Sequence, residues 1–178
     1  MALLAVLLLA AWGCAPDTYR TRVEASADAE TFEPSAFFIV ASERSGTPGD
    51  IDFRRMTRPL AETLTAQGFE QAKDITQAHV LIHLGFGMAG EEVPHQGAAF
   101  DHLFILDLEA VDALAERAGR GRKTLWKVTA TAHGHLDHWH KVFKVLLATA
   151  APFIGKTADR EVHVLRDGVT GAYRMQGR

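Results

Sequence analysis

Three stretches of this chain alternate with a period of two, and that pattern restricts the fold more than any other feature. From His79 to Phe86, Val80, Ile82, Leu84 and Phe86 fall on one side, and His79, Leu81, His83 and Gly85 on the other. From His102 to Leu108, Phe104, Leu106 and Leu108 oppose Leu103, Ile105 and Asp107, and from Thr124 to Ala132, Trp126, Val128, Ala130 and Ala132 oppose Lys127, Thr129 and Thr131. Successive side chains of a strand point to opposite faces, so each stretch reads as a strand with one face committed to a core. The middle stretch has apolar residues on both sides and is expected to be central in the sheet. Two shorter runs add strands. Phe37-Phe38-Ile39-Val40 lies between Pro34 and the Gly46-Thr47-Pro48-Gly49-Asp50 turn cluster, and Val162 and Val164 alternate with His163 from Glu161 to Leu165.

Two segments have a helical period instead. Phe53, Met56, Leu60 and Leu64 form one stripe, capped by Asp50 or Asp52 and stopped by Gly68 with Phe69 packing back. Pro59 lies inside this pattern and lacks the N–H a helix interior needs, so the helix either starts late or kinks there. Leu136, Trp139, Phe143, Leu146, Leu147 and Ala150 form the second stripe, which ends by Pro152 and Gly155. Val111 to Ala118 has helical composition as well. The order β-α-β-β-β-α-β implies an α+β fold: a two-layer sandwich of a mostly antiparallel sheet with two amphipathic helices on one face.

The expected division of the chain is a signal peptide over 1–13, a tether over 14–35, one α+β domain over 36–170 and a tail over 171–178. Met1 to Ala11 is an unbroken apolar run ahead of Trp12-Gly13-Cys14, and Cys14 is the only cysteine. A run of this length is too short to cross a hydrocarbon core of about 30 Å and suits a secretory signal. Residues 15 to about 34 are polar, Ala-rich and aperiodic, which reads as a tether with an edge strand near its end. The glycines from Gly85 to Gly97 read as a loose connector without phosphate-cradle spacing. Lys+Arg 19 against Asp+Glu 22, without long runs of one sign, gives no nucleic-acid footprint.

Chemistry concentrates in His133-Gly134-His135-Leu136-Asp137-His138-Trp139-His140, which holds four of the nine histidines. The stretch lies where a strand ends and a helix begins. Asp137 is placed to cap that helix and meet its dipole. His133, His135 and His138 form a facial set that suits zinc, nickel or copper. His163 and Asp159 are the downstream donors that could join them. A second, weaker grouping puts His79 and His83 on one strand face, with His102 the nearest third ligand.

Three resemblances bear on this reading. Cys14 after its apolar run resembles the lipobox of bacterial lipoproteins, which implies lipid modification of Cys14, and Ala15 behind it resembles the outer-membrane sorting pattern. His133, His135, Asp137 and His138 match the His-x-His-x-Asp-His signature of the metallo-β-lactamase superfamily, which would imply zinc and a metal-bound hydroxide. That match reads as local, because the upstream segment looks unrelated and only 38 residues follow His140. The larger resemblance is to the bacterial lipoprotein family catalogued as domain of unknown function 4136. It is carried by Ala36-Phe37-Phe38-Ile39-Val40, by Leu64-Thr65-Ala66-Gln67-Gly68-Phe69, by Ala78 to Gly87, and by Leu125-Trp126-Lys127-Val128 running through Ala132-His133-Gly134 into a helix with a late proline. In that family the strand-to-helix turn carries no metal chemistry.

The expected function is a non-enzymatic envelope lipoprotein without a cofactor. It is lipid-anchored through Cys14, on the outer membrane facing the periplasm, with a structural or interaction role. A protein partner or a second copy is expected on the outer sheet face, which mixes His, Thr and Lys with Leu81, Leu103, Ile105 and Leu125. The alternative is a lipoprotein binding zinc or nickel through His133, His135 and His138, and the third reading is a zinc-dependent hydrolase.

Overall fold

The computed structural model describes residues 18–28, 33–42, 51–93, 101–134, 139–166 and 172–176. Among the described residues eight strands make one sheet: β1 (Thr18–Ala27), β2 (Ala36–Ala41), β3 (Glu70–Gln71), β4 (Val80–Val93), β5 (Asp101–Asp112), β6 (Thr124–Gly134), β7 (Ala158–Arg166) and β8 (Tyr173–Gln176). Their spatial order is β3-β2-β4-β5-β6-β1-β7-β8. β2 runs parallel to β3 and β4, and every other pairing is antiparallel. Among the described residues three α-helices are interspersed, α1 (Ile51–Ala66), α2 (Ala113–Arg117) and α3 (Trp139–Ala150), with a 3-10 turn over Ala151–Phe153. This is the expected α+β sandwich.

The three alternating stretches lie on adjacent strands, and their apolar sides meet the helices. Val80, Ile82 and Leu84 of β4, Phe104, Leu106 and Leu108 of β5, and Trp126, Val128 and Ala130 of β6 are almost fully buried. They join Phe53, Met56, Leu60 and Leu64 of α1 and Val142, Phe143, Leu146 and Leu147 of α3 in one core. Both long helices therefore cover the same face. Phe86 packs beneath α3: its ring stacks on Phe104 and meets Phe143 edge-on at 5.3 Å.

α1 spans Ile51–Ala66 with Pro59 inside it, so the helix does not start late. Thr63 Oγ1 donates to Pro59 O at 2.8 Å. The expected glycine stop is present. Gly68 has φ 93°, its N–H donates to Thr65 O, and Phe69 N donates to Leu64 O. That bond pattern satisfies the last free carbonyls, and only a residue without a Cβ adopts such a φ at little cost. Asp112 caps α2, with Oδ1 accepting from Leu114 N and Ala115 N, both at 2.9 Å.

Three segment boundaries need correction. The expected tether over 14–35 contains β1, which is not an edge strand: it lies between β6 and β7 and pairs with both along most of its length. Its inward side chains are small or weakly apolar, Thr21, Val23 and Ala25, because α3 passes close above them. Thr149 Oγ1 of α3 reaches Thr21 Oγ1 at 3.1 Å, and Thr21 Oγ1 donates to Val162 O at 3.0 Å. The buried hydroxyls are thus satisfied within the chain. The glycine connector is in its first half a strand, since β4 continues past Gly85 and Gly87 to Val93 against β5. The expected tail over 171–178 contributes β8 at the edge beside β7.

Candidate functional site

The face of the sheet away from the two long helices is where side chains can meet another molecule, and strand register places them in rows. One row runs Val40, His83, Glu109, Lys127, Ser26. The next runs Gly85, Asp107, Thr129, Glu24, Asp159. A third runs Gly87, Ile105, Thr131, Arg22, Glu161. Cross-strand pairs link these charges. Arg20 Nη2 meets both Glu161 carboxylate oxygens at 3.0 and 2.9 Å, and Arg22 Nη2 meets Asp159 Oδ1 at 3.1 Å. Thr129 Oγ1 donates to Asp107 Oδ1 at 2.7 Å, and Arg122 and Thr124 both donate to Glu109. Arg20 holds the Glu161 carboxyl below its ordinary range, by hydrogen bond first and by charge second.

A concavity of about 530 Å³ opens in this face, lined by Ser42, His83, Asp107, Glu109, Arg122 and Lys127. Gly85 permits it: a Cβ there would lie 2.8 Å from Ser42 Oγ and 3.2 Å from Asp107 Cβ. Burial lowers the pKa of the His83 imidazole, Arg122 pushes the same way, and Glu109 and Glu116 pull against them. His83 Nε2 is buried and has no hydrogen-bond partner. None of these neighbours was legible as a group, because they come from separate strands and converge through register alone.

The expected ligand sets are not assembled among the described residues. His133 is exposed near the end of β6, while His135, Asp137 and His138 lie outside the described residues. His133 lines a shallow surface with Arg20 and Glu161. His163 is paired with Arg20 on β7, so the β1 strand separates it from His133. Asp159 is engaged with Arg22. His102 shares the inner side with Phe104, whose ring it meets edge-on at 6.5 Å, and so faces away from His83. His79 is exposed just before β4. Among the described residues no group of three or more His, Cys, Asp or Glu is placed to hold a metal ion. Cys14 also lies outside them.

The expected apolar residues of the outer face divide. Leu81 is buried in a second, small cluster with Ala78, Val111 and Ala113, and Leu125 packs against the main core. Leu103 and Ile105 stay half-buried on the open face, among Thr131, Arg22 and His133.

No protein-family model matches the chain, and no curated protein does. Among solved structures it is similar to the PelC dodecamer from Paraburkholderia phytofirmans, at 14% identity and a TM-score of 0.46, over 78% of this chain and 99% of that one. It is also similar to a PDZ domain protein from Parabacteroides distasonis ATCC 8503, at 12% identity and a TM-score of 0.49, over 90% of this chain and 42% of that one. Likenesses this remote assign no activity and no partner.

Proposed function

We propose that this chain is a non-enzymatic, lipid-anchored envelope protein with a structural or interaction role, in keeping with its resemblance to the lipoprotein family of domain 4136. The observation that carries the reading is the charge pairing on the sheet face away from the two long helices. Arg20 with Glu161, Arg22 with Asp159 and Arg122 with Glu109 are bound to each other across strands. Side chains spent this way hold a sheet surface in register and are not poised for acid–base or nucleophilic work. Leu103 and Ile105 give that face a small apolar centre on which a protein partner or a second copy would rest.

The anchor reading is tested by the mass of the mature protein isolated from a bacterial envelope. Cleavage before Cys14 with an added diacylglyceryl and acyl mass is the expected result, and Cys14→Ser should leave the precursor uncleaved. An unmodified Cys14 in the mature protein overturns the anchor. The interaction role is tested by cross-linking in intact cells through a photoreactive residue at position 105. A discrete adduct that Leu103→Lys abolishes is expected, and the same probe giving no adduct would remove the open face as an interface.

A further inference from the structure

The placement of β1 fixes how far the domain can stand from a membrane, and the inference rests on the lipid anchor proposed at Cys14. Ala15, Pro16 and Asp17 alone separate Cys14 from Thr18, whose backbone is already paired with Leu165 of β7. Four residue steps, fully extended, reach about 14 Å. The headgroup layer on one side of a bilayer is itself roughly 5–7 Å thick. A reach of about 14 Å across a layer of about 5–7 Å leaves the start of β1 no more than roughly 7–9 Å beyond the headgroups, even at full extension. The first residues of β1 and their neighbours are therefore held within side-chain reach of the surface.

Register shows what else lies at that end. Because β1 is antiparallel to β6 and β7, its first residues lie beside the last residues of both, and β8 begins there against Arg166. Tyr19 and Tyr173 meet at this end in an edge-to-face pair, with ring centroids 6.3 Å apart. Arg174 is exposed beside them, Arg20 is exposed there in its ion pair with Glu161, and Arg166 is half-buried. Tyrosine rings with a wet tip, and arginines with an apolar stem and a charged head, are the side chains that settle at a membrane–water boundary. The opposite end, with Arg120 and Lys123 of the Gly119 to Lys123 turn and the capped α2, is also cationic, and what distinguishes the two ends is the tyrosine pair and the distance along the chain from Cys14.

We propose that the end of the sheet formed by Tyr19, Arg20, Arg166, Tyr173 and Arg174 is a membrane-facing surface that rests on phospholipid headgroups. The strands then stand on the bilayer, and the open face with Leu103 and Ile105 is presented sideways to neighbours in the same membrane.

The test uses the full lipidated protein in vesicles of phosphatidylethanolamine and phosphatidylglycerol. Lipidation consumes the only native cysteine, so an added one takes a nitroxide label alone. Ala172→Cys reports the Tyr173 end and Arg120→Cys the opposite end, both positions being exposed. The expected result is an oxygen-to-nickel-chelate collision ratio several-fold higher at 172 than at 120. Inserting about a dozen Gly and Ser residues between Pro16 and Asp17, which adds roughly 20 Å of flexible reach, should bring the ratio at 172 down toward that at 120. Equal ratios at both ends, with the lipid mass present on Cys14, overturn the proposal while leaving the anchor intact. Dipolar broadening at 172 that disappears on dilution with unlabelled protein would instead put a second copy on this end and also overturn it. Absence of the lipid mass overturns the anchor and this proposal together.

Discussion

The two faces of the sheet are built from the same strands and held by different forces. On the covered face, side chains such as Leu60, Leu106 and Leu146 are wholly removed from water. Its cohesion is apolar area, worth about 25 cal/mol per Å² buried. On the open face the contacts are ion pairs, among them Arg20 with Glu161, whose side chains are 71% and 55% exposed, and Arg22 with Asp159, at 54% and 66%, while Arg122 with Glu109 is less exposed. Water screens such pairs, so each adds little. The covered face therefore carries the stability of the fold, while the open face tolerates change and is available for contact.

Substitutions can break this contrast. The largest effect is expected from Leu60→Ala, which empties a site between α1 and the sheet and should cost about 2–5 kcal/mol in urea unfolding. A loss under about 1 kcal/mol there would mean the core collapses around the gap. Gly85→Val should rank next, at about 1–3 kcal/mol, because its side chain must displace Ser42 and Asp107. A neutral result would show that the concavity is not held open by this glycine.

Asp112→Ala removes the cap of α2 and should cost about 1 kcal/mol. Asp112→Asn, which keeps an acceptor, should recover most of it. His83→Leu probes pH. With the folded-state pKa lowered by burial, His83 contributes stability that is complete above the unfolded value of 6.5 and is lost as pH falls toward the folded one. The variant should match the wild type at pH 7.5 and be the more stable of the two at pH 5. Parallel stability curves across that range would remove His83 as an acid-sensitive point. The smallest effect is expected from Arg22→Ala, under about 1 kcal/mol despite two carboxylate partners. A loss comparable to that of Leu60→Ala would erase the distinction between the faces.

Legibility in the sequence follows the same division. The inner sides of β4, β5 and β6 and the stripes of α1 and α3 were readable, because burial demands strongly apolar residues at a fixed period. β1 was harder. Its inward residues Thr21, Val23 and Ala25 are small, and Arg20, Arg22 and Glu24 face outward, so the segment looks polar overall. The period-two alternation was present from Tyr19 to Ala25 without large apolar side chains to mark it. Beyond Gly85, β4 carries glycines that resemble a loop, yet register with β5 keeps it extended. The histidine stretch stood out in the sequence because like residues were adjacent along the chain. The grouping around His83 did not, because its members come from different strands.

The sequence by itself determined the element types, the core residues of the three central strands, the glycine stop of α1 and the α+β class, since these depend on local period and backbone sterics. Tertiary structure decided that β1 lies inside the sheet, that Leu81 and Leu125 are drawn away from the open face, that Arg20 stands between His133 and His163, and that three residues separate Cys14 from a paired strand. Those are matters of strand order and register, set by how remote segments share one core.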